Sequence, residues 1–333
     1  MKRFLFHLLA WVWVAAVVGG VLWARQLDYM ATPLDPAAPT KVVDIPAGAT
    51  LTWISRLLGE EGFIHSPALF KLGARLAGRD RDIKTGEHYL SAAHSPQRIL
   101  RELTSGPPVL HKVTFPEGVT LKEAARIVDE AGLAGRDRFL ALVTDPDVAA
   151  SLGLPGPTVE GYLFPDTYHL PRKVGAWVII RTMVKRFNQV YRKIEAASTP
   201  PTGQTRRQTV ILASLIEAEV QTPKEAPLVA AVFLNRLKQD MRLQCDPTTV
   251  YPLDDFEGPI TKKHLAADHP YNTYVHSGLP AGPIGNPGAN ALRAALNPAE
   301  VNYLYFVSRN DGTHEFSDNY SQHQKAVRRF QRQ

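Results

Sequence analysis

Two glutamates, Glu217 and Glu219, interrupt the segment ILASLIEAEV at residues 211–220, which is otherwise almost entirely apolar. A buried charge costs several kcal/mol unless it is paired, neutralised or used in chemistry. Burial raises the pKa of a carboxyl group in an apolar wall, so that the group can arrive protonated and act as a general acid. A structural explanation stays open, because acids at a helix end also pair with Arg or Lys.

The helix that carries these acids is predicted to be central, since residues 210–216 are apolar or small on every side. At about 100° per residue, Glu219 lies about 200° away from Glu217, beside the bulky Leu212 and Leu215. The face of Glu217 is formed by Val210, Ala213, Ser214 and Val220. The small side chains on that face predict room for a ligand beside Glu217, and the bulky ones predict none beside Glu219.

The composition and the net charge limit the classes of protein to which this chain can belong. The 333 residues are 44% hydrophobic and 21% charged, which is typical of a folded chain with a substantial core. The net charge of +6 is modest, and no aromatic–basic interleaving indicates nucleic acid as a partner. The cations between Arg181 and Arg207 are predicted to lie on solvated helix faces, with a weak preference for an anionic surface as the alternative.

Neither a metal nor another cofactor is expected. His264, His269 and His276 lack the tight spacing of zinc ligands. Cys245 is the single cysteine, so no intramolecular disulfide can form.

A membrane anchor is predicted at the N-terminus. Residues 4–23 follow the basic pair Lys2-Arg3 and contain only His7 as a clearly polar residue. Twenty residues rising about 1.5 Å each span about 30 Å, the thickness of a bilayer core. A cleavable signal peptide would have a shorter apolar region and a small-x-small site, which is missing here. Lys2 and Arg3 place the N-terminus in the cytoplasm and the bulk of the chain outside it.

An internal repeat organises the next part of the chain. Residues 45–63, IPAGATLTWISRLLGEEGF, align without gaps on residues 115–133, FPEGVTLKEAARIVDEAGL. Each copy predicts a short strand, a Pro-x-Gly turn and a helix capped by Thr50 or Thr120. Second helices are expected near 66–77 and 136–144, and later strands near 83–90 and 162–170.

The remaining pattern predicts an α+β fold rather than a doubly wound sheet. A long amphipathic helix has Trp177, Ile180, Val184, Phe187, Tyr191 and Ile194 at helical spacing. Thr222–Glu225 fits a capping box that opens another helix. Residues 277–288 form a Gly/Pro-rich loop, and residues 301–317 predict a hairpin turned at Asn310-Asp311-Gly312. A terminal helix closes the chain.

Several motifs together resemble the MltG (YceG-like) endolytic lytic transglycosylases. They are LASLIEAE (212–219), FLNRL (233–237), MRLQCDPT (241–248), EGYLFPDTY (160–168), YNTYVHSGLPAGPIGNPG (271–288) and YLYFVSRNDGTHEFS (303–317). The resemblance covers nearly everything after residue 40. It implies a membrane helix with its cytoplasmic tip at 1–25, a linker at 26–40, a LysM-like βααβ subdomain at 41–106 and a catalytic domain at 107–333. That last domain begins with a second repeat-like βαα unit at 111–144.

The resemblance also implies a reaction and its acid. The family's catalytic residue is the first Glu of the E-x-E pattern, which corresponds to Glu217. The reaction is cleavage of the β-1,4 bond from N-acetylmuramic acid to N-acetylglucosamine in peptidoglycan. The muramic 6-hydroxyl, instead of water, closes onto C1 and leaves a 1,6-anhydro end. One acid then suffices, whereas ordinary glycosidases need two carboxylates.

Other residues in these motifs are candidate substrate contacts. Asn235 and Gln244 could hydrogen-bond N-acetyl or hydroxyl groups, or serve the local backbone. Asp246 and Thr248 belong to a segment that could form a turn or orient the acid. Asn272 and Tyr274 precede the Gly/Pro loop and are expected to line the cleft. Glu160 is a further candidate; with Asp166 it lies in the segment analogous to the first repeat's strand, which favours a structural role.

Two alternatives to this interpretation stay open. One is a hydrolytic muramidase with Asp246, Asp166 or Glu160 as the second carboxylate, and the other is a non-enzymatic peptidoglycan-binding scaffold. The expected partners are peptidoglycan strands, membrane lipid around the N-terminal helix, and peptidoglycan synthases (penicillin-binding proteins). The expected location is the inner (plasma) membrane, with the catalytic part periplasmic or otherwise extracytoplasmic.

Overall fold

The computed structural model of the chain describes residues 2–198, 203–253 and 256–331. The chain divides into two compact units, one of Met1–His111 with Leu170–Lys173 and one of Lys112–His169 with Val174–Gln333. The first unit contains α1 (Lys2–Ala31), β1 (Lys41–Ile45), α2 (Leu51–Glu60), α3 (Pro67–Leu76), β2 (Gly86–Leu90) and α4 (Pro96–Ser105).

Short-range capping explains why the helices of the first unit begin where they do. Thr50 Oγ1 accepts a hydrogen bond from the Trp53 N–H at 3.2 Å, and Ser66 and Ser95 cap α3 and α4 ahead of a proline. β1 and β2 pair antiparallel, with Val43 opposite His88. The helices bury one core against this two-stranded sheet. The core includes Ile54, Leu58, Phe70, Leu90, Ile99 and Leu103.

The first part of the expected linker at residues 26–40 is helical. α1 continues to Ala31, and its last turns pack on α3 within the same unit. Gln26 Nε2 donates to the Leu69 carbonyl at 2.9 Å, and Tyr29 Oη donates to the Ser66 carbonyl at 2.8 Å. A side chain at Gly73 would overlap Met30, so that the missing Cβ permits the close approach. Within α1, Phe6–Ala31 is long and apolar enough to cross a membrane.

The second unit comprises the rest of the chain and begins with the second copy of the repeat. Its elements are β3 (His111–Thr114), α5 (Leu121–Glu130), α6 (Arg136–Val143), α7 (Pro146–Ser151), β4 (Thr167–Leu170), α8 (Ala176–Ala196), α9 (Arg206–Glu219), α10 (Ala226–Lys238), α11 (Lys262–Ala266), α12 (Ala289–Leu296), β5 (Tyr305–Ser308), β6 (His314–Ser317) and α13 (Tyr320–Phe330). The strands β3 and β4 form one two-stranded sheet, and β5 and β6 form an antiparallel hairpin.

The predicted repeat is confirmed at the level of its turns and caps. Gly48 and Gly118 have φ angles of 80° and 79°, a left-handed conformation that favours glycine. Thr120 forms a full capping box with Glu123 at the start of α5. β4 is shorter than the predicted strand at 162–170, because residues 162–164 are buried in a turn rather than paired in a sheet.

α9 is the central helix of the second unit, as its apolar sequence predicts. Residues 209–216 are all buried, and the helix packs against α10 and α12. α8 buries Ile180, Val184, Phe187, Tyr191 and Ile194, but Trp177 at its start is 38% exposed, contrary to the predicted apolar stripe. Ala176 and Ile179 in the same turn are buried, so the buried stripe passes beside Trp177 rather than through it.

The capping box predicted at Thr222–Glu225 is wrong. Pro223–Glu225 forms a single 3-10 turn before α10, and the Thr222 side chain does not cap it. Thr222 Oγ1 donates to the Gly312 carbonyl at 3.0 Å, and the Glu225 carboxylate accepts from the His314 N–H and ring. Both side chains therefore hold the β5–β6 hairpin instead of the helix end.

Candidate active site

α9 delivers Glu217 and Glu219 at its C-terminal turn. The helix starts with a capping box, in which the Thr205 N–H donates to Gln208 Oε1 at 2.9 Å and the Gln208 N–H donates to Thr205 Oγ1 at 3.3 Å. Burial of the next turns fixes the position of the helix. The last turn is where the apolar sequence gives way to acids, so a rigid core element carries both carboxyl groups.

The Glu217 carboxyl group is held from outside its own helix. The Gly288 N–H donates to Glu217 Oε2 at 2.8 Å. Burial raises the pKa of Glu217 above the ordinary carboxyl value, the hydrogen bond from Gly288 opposes that rise, and the negative charge of Glu117 adds to it. The result is a half-buried carboxyl group that keeps its proton to a higher pH than an ordinary glutamate does.

Three glycines bring two backbone segments against this acid. A Cβ on Gly288 would overlap the Glu117 carboxylate, and one on Gly285 would overlap the Gly118 carbonyl oxygen. Gly118 itself lies against the acid: a Cβ there would be 3.6 Å from Glu217 Cγ. The turn at residues 116–118 and the loop at 285–288 thus approach each other closely at Gly285, which faces a backbone atom, whereas Gly288 faces only the flexible Glu117 side chain.

Glu117 is a site residue that the sequence interpretation missed. It is exposed, lies against Gly288, and is the carboxylate whose charge acts on Glu217. A signal was present in the repeat, because the first copy has Pro-Ala-Gly at its turn and the second has Pro-Glu-Gly. The extra acid distinguishes the copy that lies beside the candidate acid from the copy that does not.

Asn286 ties the two segments together. Its Nδ2 donates to the Val119 carbonyl at 2.7 Å and to Glu160 Oε1 at 2.9 Å, and its Oδ1 accepts from the Leu163 N–H at 2.8 Å. Its backbone also pairs with the repeat turn, through Gly118 N–H to Asn286 O and Asn286 N–H to Val119 O, both at 2.9 Å. This completely buried amide positions the loop that presents Gly288.

Glu160 is part of this network, a setting that favours a structural role over contact with substrate. It is only 3% exposed, and its Oε2 accepts from Tyr251 Oη at 2.8 Å and from the Leu121 N–H at 3.2 Å. Burial raises the pKa of Glu160 to about 7, although those donors lower it. Its place in the repeat favours the same structural role.

The expected open space along the Glu217 face of α9 is filled. Ala213 and Ser214 are buried, and Ser214 Oγ accepts a hydrogen bond from the Ile284 N–H at 3.1 Å. Gly161 and Pro283 approach Val210 on the same face. The small side chains make room for the Gly/Pro loop, so that accessible space is confined to the end of the helix.

The Glu219 face, predicted to be closed, opens onto a cavity of about 320 Å³. Gln244, Asp246 and Tyr274, three of the predicted substrate residues, line this cavity together with Glu219. Tyr274 Oη donates to the Asp246 carboxylate. Burial raises the pKa of Glu219, beside the Cys245 thiol and the Asp246 charge. The bulky leucines pack earlier in α9, and the helix ends before they can cover Glu219.

Three other residues that were predicted to contact substrate donate hydrogen bonds to backbone carbonyls of the protein itself. Asn235 Nδ2 donates to the carbonyls of Val301 and Tyr303 at 2.8 and 3.0 Å. Thr248 is buried and donates to the Cys245 carbonyl at 2.6 Å. Asn272 is buried and donates to the carbonyls of His264, Leu265 and Ala267. These hydrogen bonds favour the alternative in which the three side chains serve the local backbone, and contact with substrate stays a prediction for them.

Asp166 is the last of the acids that the sequence singled out. Asp166 Oδ2 accepts from Arg186 Nε at 2.8 Å in an exposed ion pair.

Among the residues that the structure describes, no group of three or more His, Cys, Asp or Glu is arranged to hold a metal ion.

Known proteins are similar to this chain in sequence over most of its length. The endolytic murein transglycosylase of Bacillus subtilis (strain 168) is 28% identical over 332 residues, which cover 94% of this chain and 91% of that protein. The endolytic murein transglycosylase of Streptococcus pneumoniae serotype 2 (strain D39) is 27% identical over 366 residues, and the match covers 98% of this chain but 65% of that longer relative.

The fold has a solved counterpart as well. A crystal structure of a YceG-like protein from Listeria monocytogenes superposes with a TM-score of 0.57 at 31% identity, covering 87% of this chain and 99% of that one. The model of the YceG-like family matches residues 43–329, a range that includes Glu117, Glu217 and the Gly288 loop. By sequence and by fold, the chain belongs to the YceG-like family.

Proposed function

We propose that this chain is a membrane-anchored lytic transglycosylase that cleaves the N-acetylmuramic acid–β-1,4–N-acetylglucosamine bond inside murein strands. The observation that carries the proposal is the Glu217 carboxyl group, held by Gly288 N–H at the end of a buried helix in a YceG-like chain. The names of the B. subtilis and S. pneumoniae relatives supply the reaction class.

Glu217 serves as acid and then as base. The Gly288 N–H occupies Oε2, which leaves Oε1 to carry the proton. That proton passes to the glycosidic oxygen as its bond to the muramic C1 breaks. The muramic 6-hydroxyl then attacks C1 and returns its proton to Glu217. No water is consumed, and the product is a 1,6-anhydro end. The raised pKa of Glu217 suits the first step, because the acid must arrive protonated.

The hydrolytic alternative requires a second carboxylate that activates water. Of the three predicted candidates, Glu160 is buried in the Asn286 network, Asp166 is paired with Arg186, and Asp246 lines the cavity at Glu219. Glu117 is the carboxylate beside Glu217, and its place across Gly288 favours an electrostatic effect on that acid. The identity of the product ends separates the two reactions.

The proposal also includes a membrane anchor and a role in the cell. The apolar part of α1 up to residue 25 crosses the plasma membrane, with Lys2 and Arg3 on the cytoplasmic side. The rest of the chain is extracytoplasmic, including the last turns of α1 that pack on α3. Residues 41–106 act as a LysM-like unit that binds or braces glycan. Cleavage within strands limits their length, beside the synthases that make them. A reporter fused after residue 333 that is active only in the cytoplasm would contradict this topology.

The deciding experiment compares Glu217→Gln with two other glutamate variants of the full chain in detergent. Glu217→Gln should lower the release of anhydro-ended fragments by roughly 10²–10⁴-fold, the usual contribution of a general acid. Glu130→Gln, at an exposed position on α5, should leave the rate unchanged. Glu219→Gln should lower it far less than Glu217→Gln, since its side chain leaves the helix on another side.

Mass spectrometry of the fragments distinguishes the remaining possibilities. Anhydro ends support the proposal, reducing ends replace it with hydrolysis, and uncut strands favour a binding scaffold. An active Glu217→Gln protein with native circular dichroism would remove this residue from the reaction.

A further inference from the structure

The cavity at Glu219 is chemically unlike the surroundings of Glu217. Its lining contains carboxylates from Glu219 and Asp246, the guanidinium group of Arg236 and the imidazole of His323. A cavity of about 320 Å³ with both signs of charge is large enough for a few amino-acid groups. All of these residues belong to the second unit, so the cavity is a feature of that unit alone.

Several polar groups in the cavity have unused hydrogen-bonding capacity. Arg236 is buried, and its Nε and Nη1 donate to the carbonyls of Leu304 and Leu243, both at 2.7 Å. Its Nη2 has no partner among the described residues. His323 Nδ1 is likewise buried without a hydrogen bond in the part of the chain that the structure describes. Buried polar groups are normally paired, and of these two it is His323 Nδ1 that is buried without a hydrogen bond in the described part of the chain. The Arg236 guanidinium lies over the Tyr305 ring, 5.2 Å from its centroid.

Gln244 contributes a further free group and an unusual backbone. Its φ angle of 50° lies in the left-handed region, which residues other than glycine, Asn and Asp rarely adopt. Within the described ranges, its side-chain amide has no hydrogen-bond partner, although the residue lines the cavity. Backbone held in a sparsely populated conformation is often found at ligand sites, where it aims a side chain.

We propose that this cavity binds the charged peptide that murein carries on its muramic acid residues. The inference rests on the function proposed above, because it takes murein as the substrate. The sugars of a strand are uncharged where the muramic carboxyl is amide-linked, so that carboxylate and ammonium groups reside on the peptide. Arg236, His323 and Gln244 present groups for peptide carboxylates and amides, and Glu219 and Asp246 present acceptors for an ammonium group.

The cavity lies close along α9 to the proposed acid, because Glu219 is one of its lining residues. Glu217 and Glu219 are two residues apart on one helix, which separates their Cα atoms by about 5 Å and directs their side chains about 200° apart. The muramic residue whose C1 reacts at Glu217 is the one that bears the peptide. A free phosphate or another simple anion would be repelled by the two acids, so a ligand with both charges fits better.

The binding test uses a free tetrapeptide, L-alanyl-D-glutamyl-(diamino acid)-D-alanine, titrated calorimetrically into the full chain in detergent. Gln244→Gly removes the amide and suits the left-handed backbone, so folding should be kept. Asp246→Asn keeps a partner for Tyr274 but removes the charge. Each should weaken binding about tenfold, which corresponds to about 1.4 kcal/mol. Gln324→Ala, on the exposed face of α13, is the matched control and should bind as the unchanged protein does.

A cleavage assay connects the cavity to the reaction. The unchanged protein should cut peptide-bearing strands faster than strands stripped of peptide, and both variants should reduce that ratio. Cleavage without measurable peptide binding, or binding that neither variant weakens, would overturn the cavity proposal and leave the reaction intact. Binding lost in both variants but without any cleavage of strands would support the cavity and refute the reaction.

Discussion

The buried Glu160 carboxyl group should make the stability of the second unit depend on pH. Its pKa is 4.5 as an ordinary carboxyl and about 7 in the folded protein. The folded state therefore holds this proton more tightly than the unfolded state does. The associated stability is fully present below pH 4.5 and is lost as the pH rises to about 7. The difference between those values corresponds to about 3 kcal/mol.

Glu160→Gln isolates this contribution, since the amide has nearly the same shape and no charge. The amide will accept hydrogen bonds from the three donors around Glu160 less well than the carboxyl group does. The resulting loss of stability is the same at every pH. The stability of the variant relative to the unchanged protein should thus rise by about 3 kcal/mol between pH 4.5 and pH 8. Hydrogen exchange of peptides from α9 in increasing urea, with the full chain in detergent, measures it. A constant difference across this range would show that Glu160 is not the buried acid described here.

Two further predictions concern the segments around Glu217. Gly285→Ala should destabilise the second unit by about 1–3 kcal/mol, because the new Cβ meets the backbone carbonyl of Gly118, which cannot turn away. Gly288→Ala should be tolerated to within about 1 kcal/mol, because its φ of −77° suits alanine and only the flexible Glu117 side chain must move. Glu117→Gln should shift the alkaline limb of the pH–rate profile to lower pH, because it removes a charge that raises the pKa of Glu217.

Each of these predictions can be tested directly. Urea unfolding should rank Gly285→Ala well below Gly288→Ala in stability, and equal stabilities would contradict the close approach of the two loops. For Glu117→Gln, release of fragments is followed from pH 4 to 9 beside Glu130→Gln. An unmoved profile, or one moved to higher pH, would show that the Glu117 charge does not act on the reacting acid.

The elements that the sequence predicted best are those formed by neighbours along the chain. The Pro-x-Gly turns and threonine caps of the two repeat copies involve residues within four positions of one another, so the pattern contains the whole interaction. α9 was also predictable, because a helix that is apolar on every side must be buried. Its two acids stood out for the same reason.

The polar residues were harder to assign, because their partners lie far away in sequence. Asn235 donates to carbonyls 66 and 68 residues further on, and nothing in FLNRL indicates that. The end of α1 was misplaced for a similar reason: an apolar run marks the part of a helix that suits a membrane, but Gln26 and Tyr29 are kept helical by partners on α3. Glu117 was overlooked because its significance depends on contact with Gly288.

The Asn286 network has a consequence for how the protein matures. Its contacts with Val119 and Glu160 join residues 167 and 126 positions apart, and Gly288 lies 71 positions beyond Glu217. Such distant pairings form late, because the intervening loops must be closed first. A chain still emerging from the ribosome, or one cut short before residue 286, therefore carries the glutamate without the loop that holds it. The surroundings of Glu217 can therefore be completed only after residues 286–288 have been made.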